Sequence, residues 1–238
     1  LAQERGLPLH TVELDVRQET SMARALEHVH AQAGPIDVLV NNAGIGYYAV
    51  MEEIRMEHLR EQFETNFFGV VRLTQLVLPE MRARRSGRIV NISSAAGKIS
   101  FPLFGPYSGS KFALEAMTDA LRMEVRPFGI EVVLIEPGFI ATGFQAAAQE
   151  LSADYVAQKD ASPYAPLYKN YGRSYRRSVA AAQHTPEDCA QVILRAIRAR
   201  RPSARYTVTP SGWMANFAKR LLPDAVLDWR IRRRLKWG

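Results

Sequence analysis

Cysteine is almost absent from this chain. Its 238 residues contain a single cysteine, Cys189, which excludes an intrachain disulfide and a cysteine metal cluster. Long apolar runs are missing as well. The longest uncharged stretch, 38–51, has 14 residues and contains Asn41 and Asn42, whereas a helix that spans a bilayer needs about 20 apolar residues. We therefore predict a protein of a reducing compartment, the cytoplasm.

Two common kinds of active site lack their residues. The five histidines show no metal-ligand spacing, and His28 and His30 would point to different faces of a predicted helix. The pattern G-x-S-x-G, which carries a serine nucleophile in α/β-hydrolases, does not occur in the sequence. These absences exclude the usual zinc sites and that hydrolase chemistry.

Acidic residues are scarce near the end of the chain. The net charge is +7, and from Arg195 onward twelve Lys or Arg residues stand against two acids. The basic character therefore belongs to the C-terminal segment, which ends in WRIRRRLKWG. Such a run ordinarily forms a solvated helix face, and contact with nucleic acid, anionic lipid or an acidic partner is the alternative.

Apolar strand-like runs alternate with helical segments along the chain. Strands are predicted at 9–16, 37–40, 88–93, 131–136 and 205–210. Helices are predicted at 21–33, over much of 56–84, at 106–125, and from a capped start at Thr185, Pro186, Glu187 and Asp188. This alternation predicts an α/β fold with a doubly wound, mostly parallel, Rossmann-like sheet.

The chain is long enough for one large core. Because 47% of its residues are hydrophobic, we predict a single Rossmann-like domain over residues 1–210. Within it, 141–184 has little regular periodicity and indicates a lid-like insertion of short helices and loops that covers a substrate. Residues 211–238 would form the basic C-terminal tail. The insertion holds Tyr155, Tyr164, Tyr168, Tyr171 and Tyr175.

Tyr107 and Lys111 lie four residues apart near the start of a predicted helix, so their side chains share one helix face. An unperturbed phenol has a pKa near ~10, and a neighbouring ammonium favours its ionised form. A pKa lowered by about three units would make this tyrosine a proton donor and acceptor near pH 7. A hydroxyl from the preceding strand end, which carries Ser93 and Ser94, would hold a carbonyl oxygen beside the phenol.

The tyrosine and lysine belong to a longer series of spaced residues. In chain order the series is NNAG at 41–44, Asn66, Ser94 thirteen residues before Tyr107, Lys111, Pro137 with Gly138, and Thr142. In order and spacing over residues 7–210, the sequence resembles the short-chain dehydrogenase/reductase (SDR) family. The resemblance implies an NAD(P)-dependent oxidoreductase that interconverts an alcohol and a ketone or aldehyde.

The resemblance implies a role for each polar residue of the series. Tyr107 would be the general acid and base, Ser94 would position the substrate oxygen, and Lys111 would bind the ribose of the nicotinamide and lower the pKa of the phenol. Asn66 would hold a water in a proton relay to Lys111. Its alternative role is that of a polar helix residue that satisfies nearby backbone groups.

The same resemblance implies where NAD or NADP would bind. The adenosine side would comprise Asp15, Val16, Asn42, Ala43 and Gly44. The nicotinamide side would comprise Pro137, Gly138, Ile140 and Thr142, together with Tyr107 and Lys111. Hydride transfer would then belong to the nicotinamide, and the protein would supply orientation and electrostatics.

One part of the family pattern is missing from the sequence. The family opens with a glycine-rich TGxxxGxG turn that cradles the pyrophosphate, and no such turn occurs here. Gly44, Gly46 and Ala49 spell GxGxxA, but they fit the NNAG loop better, because no acid ends a strand about twenty residues later. Since the chain begins at Leu1, we expect its own N-terminus, with two strands of the family fold, to be missing. The residue that selects NAD or NADP belongs to that part, so the choice stays open.

Three further expectations concern partners. Phe101, Leu103 and Phe104 indicate an apolar substrate, although core packing explains them equally well. The family resemblance implies a homodimer or homotetramer that associates through the long helix and the Tyr107 helix. Peripheral contact with an anionic membrane would use the basic tail and the aromatic residues Trp213, Phe217, Trp229 and Trp237.

The main alternative is a non-catalytic remnant of the fold that serves as an interaction module. It explains the missing glycine-rich turn, but it does not explain why Ser94, Tyr107 and Lys111 are all present. A nucleic-acid-binding protein is not expected, because that hypothesis rests on the basic tail alone and no motif that reads nucleic acid accompanies it.

Overall fold

The computed structural model describes residues 6, 9–140, 142–180, 184–210, 217, 219 and 221–237. Its sheet consists of β1 (Val38–Asn41), β2 (Gly87–Ile92), β3 (Ile130–Glu136) and β4 (Arg205–Thr207), paired in that order. All three pairings are parallel, so each strand is reached by a crossover from the one before. The predicted parallel α/β sheet is confirmed.

Helices flank the strands throughout the part of the chain that the structure describes. They are α1 (Glu19–Ala33), α2 (Met56–Phe63), α3 (Gly69–Arg84), α4 (Gly105–Val125), α5 (Gly143–Leu151), α6 (Ala153–Ala157), α7 (Ala165–Ala180), α8 (Pro186–Arg198) and α9 (Asp224–Leu235). A π-helix, Glu64–Phe68, joins α2 to α3 without a break. Short 3-10 turns occupy Ala95–Gly97, Arg126–Phe128 and Lys159–Ala161. Within the described ranges, no helix is long and apolar enough to cross a membrane.

Alternate residues of the strands point to opposite faces of the sheet, and helices cover both faces. The cluster on the face of α3 and α4 comprises Val77, Met81, Ile89, Leu121, Val125, Ile130 and Val132. The cluster on the face of α8 comprises Val90, Val133, Ile135 and Ala196. Because the faces are filled, the carboxyl edge of the strands is the place where a site can form.

The start of α8 has the predicted cap. The Thr185 hydroxyl accepts the backbone N–H of Asp188 at 3.3 Å, and the Asp188 carboxylate accepts that of Thr185 at 2.9 Å. Pro186 occupies the first turn, where a backbone N–H has no helical partner. The capping signal in the sequence is confirmed.

The predicted strand at 9–16 is wrong. Its residues form no strand, and Leu9, Val12 and Leu14 are exposed. A strand needs a neighbour to accept and donate its backbone hydrogen bonds, and none of the residues that the structure describes offers one beside this segment. β1 is an edge strand of the described sheet, and its Val40 is 37% exposed.

The predicted insertion is more regular than the sequence analysis suggested. It contains α5, α6 and the 16-residue helix α7, so the expectation of only short helices is wrong. Tyr168, Tyr171 and Tyr175 follow helical spacing, and this periodicity was present in the sequence. The insertion is tied to the loop after β1, because the Tyr168 hydroxyl donates to Glu53 at 2.7 Å and accepts the N–H of Val50 at 3.2 Å.

Helix α9 belongs to the segment predicted as the basic tail. It packs through a stripe of Leu227, Ile231 and Leu235, of which the first and last are buried, and Leu235 and Ile231 join the cluster around Tyr168. Residues 211–216, 218, 220 and 238 lie outside the described residues, and Trp213 is among them.

Candidate active site

The predicted catalytic residues meet at the carboxyl edge of β2 and β3. Ser94 follows β2 and caps the turn Ala95–Gly97, where its hydroxyl accepts the N–H of Ala96 at 3.1 Å. Pro137 follows β3, and its carbonyl accepts the N–H of Ala95 at 2.8 Å. This bond fixes the serine turn against the start of the Pro137 loop.

Tyr107 lies in the first turn of α4, directly after Pro106, whose ring suits that position because no helical N–H is needed there. Tyr107 is 8% exposed, and the Ser94 side chain lies within reach of its phenol. Burial raises the pKa of Tyr107 to about 12, and the nearby Ser94 side chain acts in the opposite direction. The phenol therefore carries its proton at neutral pH in this structure.

Lys111 lies one turn farther along α4 and is buried. Its ammonium donates to the carbonyl of Ile92 at 2.8 Å and lies 5.9 Å from the centre of the Tyr107 ring. Burial lowers the pKa of Lys111 to about 8, and the nearby Glu115 partly opposes this. The expected lowering of the Tyr107 pKa is wrong for this structure, because the amine is directed to the end of β2 and burial of the phenol is the larger effect.

Asn66 is fully buried in the π-helix. Its amide oxygen accepts the N–H of Ile45 at 2.8 Å, and its nitrogen donates to the Ile45 carbonyl at 2.9 Å and the Ser110 hydroxyl at 3.0 Å. These contacts are those of the alternative role, a polar helix residue that satisfies backbone groups. They also tie the loop after β1 to α4, because Ser110 is a residue of α4. The Ser110 hydroxyl in turn donates to the Tyr107 carbonyl at 2.8 Å.

Gly44 brings this loop close to the catalytic residues. A Cβ at Gly44 would stand 3.3 Å from the Asn66 amide oxygen and 3.8 Å from the Lys111 nitrogen. Asn42 and Ala43, the preceding residues, are exposed at the end of β1. The structure therefore places 42–44 along the same edge as Lys111, with a backbone approach that only a small residue allows.

Asn41, the first residue of NNAG, points elsewhere. It is buried in β1 and donates to the Asn91 amide oxygen at 2.8 Å and to the Thr74 hydroxyl at 3.2 Å. Asn91 in turn donates to the Thr118 hydroxyl at 2.9 Å. This buried polar row holds β1, β2, α3 and α4 together. No local pattern in the sequence predicts that Asn91 and Thr118 belong to it.

Asp15 and Val16 end the segment that precedes α1. The Asp15 carboxylate accepts three bonds from Arg17, the shortest at 2.9 Å from its backbone N–H, and one from Gln18 at 2.9 Å. The Arg17 guanidinium holds the pKa of Asp15 well below its usual range. Val16 packs against the start of α3, since a Cβ at Gly69 would stand 2.4 Å from the Val16 carbonyl oxygen.

The residues expected on the nicotinamide side follow β3. Gly138 is half-buried and Ile140 is buried, and the Ile140 carbonyl accepts from the Gln145 side chain. The Thr142 hydroxyl caps α5, because it accepts the N–H of Phe144 at 3.3 Å and donates to Gln145 at 2.9 Å. This hydroxyl is thus already engaged in the fold.

Aromatic rings pack around Tyr107. Phe144 of α5 lies 5.6 Å and Phe104 lies 6.4 Å from the Tyr107 ring, measured between ring centres. Phe104 also contacts Tyr48 at 4.8 Å and Tyr171 of α7 at 5.6 Å. We call Tyr48, Phe104, Phe144, Tyr171 and Tyr175 the aromatic wall.

Four charged side chains, the buried Glu115 and Glu136 with the partly exposed Lys98 and Arg205, lie behind the catalytic residues. Lys98 pairs with Glu115 and lies 3.8 Å from Glu136. Arg205 lies 3.3 Å from Glu115 and 3.2 Å from Glu136. Burial, with Glu115 nearby, raises the pKa of Glu136. The quartet links the Ser94 turn, α4 and the end of β3, and its only sequence signal was Glu136 at the end of an apolar strand.

The described residues suit one end of a nicotinamide cofactor. The close approach at Gly44 and the buried Lys111 ammonium offer a narrow polar edge next to Tyr107. No group of three potential metal ligands occurs in the part of the chain that the structure describes.

Comparisons with known proteins agree with this geometry. Residues 1–152 match the family of short chain dehydrogenases. The uncharacterized oxidoreductase YusZ of Bacillus subtilis is 42% identical over 78% of this chain, and the chain spans 65% of that protein's length. An NADPH-dependent 3-dehydrocapnine reductase of Ornithobacterium rhinotracheale is 36% identical over 92% of this chain and 78% of its own. A 3-ketodihydrosphingosine reductase of Bacteroides thetaiotaomicron is 34% identical over 92% and 80%.

Solved structures give the same result. A short-chain dehydrogenase from Streptomyces avermitilis superposes with a TM-score of 0.75 at 28% identity, covering 99% of this chain and 83% of that one. A serine dehydrogenase in complex with NADP+ has a TM-score of 0.73 at 25% identity over 89% and 79%. The chain belongs to the short-chain dehydrogenase/reductase family, whose oxidoreductases act on CH–OH groups with NAD or NADP.

Proposed function

We propose that the chain interconverts an alcohol and a ketone or aldehyde, with Tyr107 as the general acid and base and NAD or NADP as the cofactor. The observation that carries the proposal is the meeting of three side chains at the carboxyl edge of β2 and β3. Ser94 lies close enough to Tyr107 to lower its pKa, and the Lys111 nitrogen lies 5.9 Å from the centre of the Tyr107 ring. Two neighbouring hydroxyls can both donate hydrogen bonds to one carbonyl oxygen. These bonds polarise the carbonyl.

In the reducing direction, the proposed mechanism needs a proton at the carbonyl oxygen. Ser94 would donate a hydrogen bond to that oxygen and hold it beside the phenol. Tyr107, which is protonated at neutral pH because its pKa is about 12, would then deliver the proton. The nicotinamide supplies the hydride when it is bound.

Lys111 and Asn66 would support this step from behind. The Lys111 ammonium would bind the ribose hydroxyls of the nicotinamide and favour the ionised phenol after the proton has left. Asn66 would hold the loop at Ile45 in place. To bind a water of a proton relay as well, Asn66 would have to give up one of its present hydrogen bonds, such as the bond to Ser110 at 3.0 Å.

The remaining family positions would form the rest of the cofactor site. We propose Asp15, Val16, Asn42, Ala43 and Gly44 for the adenosine side. Arg17 competes for the Asp15 carboxylate, so an adenine contact there requires that ion pair to share or release an oxygen. We propose Pro137, Gly138, Ile140 and Thr142 for the nicotinamide side, where backbone groups are the better donors because the Thr142 hydroxyl caps α5.

An apolar substrate fits the aromatic wall. Rings of Phe104 and Phe144 flank the phenol, and such surfaces favour apolar ligands with few polar groups. Two relatives, a 3-dehydrocapnine reductase and a 3-ketodihydrosphingosine reductase, are named as reductases. We propose that the described part of the insertion, 142–180, covers this substrate as a lid.

We also propose two kinds of partner. A homodimer or homotetramer would use α3 and α4, which border exposed apolar side chains at Phe68, Phe112 and Met123. An anionic membrane surface would contact the outer face of α9, where Val226 and Trp229 are exposed beside Arg233. A cytoplasmic location and the absence of nucleic-acid binding stay predictions.

Oxidation of NADH or NADPH by the protein tests the proposed function. The assay uses a panel of aliphatic, alicyclic and steroid ketones, and we expect consumption of one cofactor that depends on the ketone. A protein that binds neither cofactor and reduces no ketone in the panel would support the alternative of a non-catalytic interaction module.

A further inference from the structure

Tyr171, like Tyr175 farther along α7, has a hydroxyl without a hydrogen-bond partner within the described residues. Its oxygen is also shielded from solvent. Of the tyrosines nearby, Tyr168 donates to Glu53 and Tyr164 to Glu52. Of the two unpaired tyrosines, Tyr171 contacts Phe104 at 5.6 Å between ring centres, whereas Tyr175 contacts Phe139. Burial without a partner raises the pKa of the Tyr171 phenol far above its usual range, so the group is neutral.

A buried hydroxyl without a hydrogen-bond partner lowers the stability of the folded protein. The group loses its hydrogen bonds to water on burial, and a phenylalanine ring would fill the same space without that loss. The Tyr171 ring itself is well packed, with Tyr175 at 5.8 Å and Tyr48 at 6.2 Å. Packing therefore explains the ring of Tyr171 and leaves its oxygen unexplained.

The position of this oxygen relates it to the reaction. The ring of Phe104 contacts Tyr171 on one side, at 5.6 Å, and Tyr107 on the other, at 6.4 Å. Tyr48 completes this group of rings, because it lies 4.8 Å from Phe104 and 6.2 Å from Tyr171 between ring centres. One aromatic ring thus separates the proposed acid and base from a second, unused hydroxyl in the aromatic wall.

We propose that Tyr171 determines substrate specificity by hydrogen bonding to a second neutral oxygen of the substrate, a hydroxyl or carbonyl that lies along the apolar body from the reacting carbonyl. This inference rests on the proposed function and narrows its substrate class to oxygenated apolar ketones. A phenol both donates and accepts, so it suits either oxygen. The surrounding rings favour the apolar body between the two polar ends.

A first test needs no substrate. Tyr171→Phe removes an unpaired hydroxyl, so the midpoint of thermal unfolding should rise by about 2–4 °C, which is typical of a small gain in a chain of this size. Tyr168→Phe, the matched control, removes a paired hydroxyl and should lower the midpoint. A lower midpoint for Tyr171→Phe would show that the oxygen already has a partner and would overturn the proposal.

A second test uses paired substrates. The probes are 2-decanone and a series of decanones that carry one added hydroxyl at successive chain positions. We expect Tyr171→Phe to lower kcat/KM for at least one hydroxylated member by about tenfold more than for 2-decanone, the size expected for one hydrogen bond. Equal losses across the series would overturn the proposal. If the wild type reduces none of the probes, the proposed function fails, and the unfolding midpoints still report whether the Tyr171 hydroxyl is unpaired.

Discussion

Two opposing effects set the protonation of Tyr107. Burial disfavours the charged phenolate, and the nearby Ser94 side chain favours it, with burial the larger effect. The sequence spacing predicted that Lys111 would reverse this balance. The ammonium instead donates to Ile92 at the end of β2, so its effect on the phenol is limited by both distance and direction. In this structure Tyr107 is ready to donate a proton and would need stabilisation of its anion to accept one.

The charge of Lys111 should appear in the pH dependence of ketone reduction. Its pKa is lowered to about 8 by burial, so the ammonium is present below that pH and is lost above it. We expect kcat/KM to fall as the pH rises through about 8. The measurement is a pH profile of kcat/KM from pH 6 to 10.

Two variants at this position show whether the decline belongs to Lys111. Lys111→Arg keeps its charge over the whole range, because a guanidinium has a pKa above about 12, and the decline should move beyond pH 10. Lys111→Met should be poorly active throughout, without a decline at pH 8. A profile for Lys111→Arg that still declines at pH 8 would assign the titration to another group.

The sequence predicted which candidate residues lie together better than it predicted their contacts. Ser94, Tyr107 and Lys111 meet because the order of a strand end followed by a helix determines their placement. The quartet of Lys98, Glu115, Glu136 and Arg205 was not predicted, since pairs such as Arg205 and Glu115, 90 residues apart, leave no local pattern. Asp15 was predicted for adenosine, and nothing in its spacing indicated the competing Arg17.

At the scale of elements, strands were predictable where they pair and unpredictable where they do not. Segments 88–93 and 131–136 have the apolar runs of buried strands and become β2 and β3. Segment 9–16 has a similar run and no partner strand in the described structure, so it stays a coil. Whether a segment forms a strand depends on a neighbouring strand with which it can pair, and the sequence of the segment alone does not show this.

The junction of α2 and α3 illustrates a second limit. The sequence predicted one long helix, but Glu64–Phe68 form a π-helix inside it. A wider turn of this kind is often found at functional sites, and here it carries Asn66. No capping residue or glycine marks the change from i+4 to i+5 hydrogen bonding. Helical periodicity alone therefore does not predict the π-helix.

Gly69, which follows the π-helix, should be intolerant of a side chain. A Cβ there would stand 2.4 Å from the Val16 carbonyl oxygen, so Gly69→Ala must displace the segment that carries Asp15. We expect it to lower the free energy of unfolding by about 1–3 kcal/mol, as overpacking does. Urea unfolding measures the change.

Gly172 in α7 provides the control for this substitution. A Cβ there would meet only the end of the Arg176 side chain, at 3.9 Å, and alanine is the better helix former by about 0.5–1 kcal/mol. Gly172→Ala should therefore be neutral or stabilising. Equal stabilities for the two variants would show that Val16 does not pack on α3 as described.

At the scale of the whole molecule, charge and apolar surface coincide on α9. One stripe of this helix packs on the insertion through Ile231 and Leu235. The opposite stripe presents Trp229, which is 57% exposed, and the Arg233 guanidinium lies 5.3 Å from the centre of its indole ring. An aromatic ring among arginines is the composition of helices that lie at the surface of anionic membranes.

Vesicle binding tests this surface. We expect the protein to sediment with vesicles of anionic phosphatidylglycerol and to be released by 0.5 M salt, because salt screens the attraction. Arg230→Glu with Arg233→Glu should weaken binding by at least about tenfold. The same change at Arg24 and Arg60, which are exposed on α1 and α2, is the control. Equal binding by both double variants would show that the outer face of α9 is solvated and does not contact the membrane.

The central claim, that Tyr107 moves the proton, is tested most directly by Tyr107→Phe. The variant keeps the ring that packs on Phe104 and Phe144, so its unfolding midpoint and its affinity for NADH or NADPH should stay close to those of the wild type. We predict that kcat for ketone reduction falls by about 10²–10⁴-fold, the usual effect of losing a general acid. A phenylalanine variant that reduces the ketone as fast as the wild type would contradict the account.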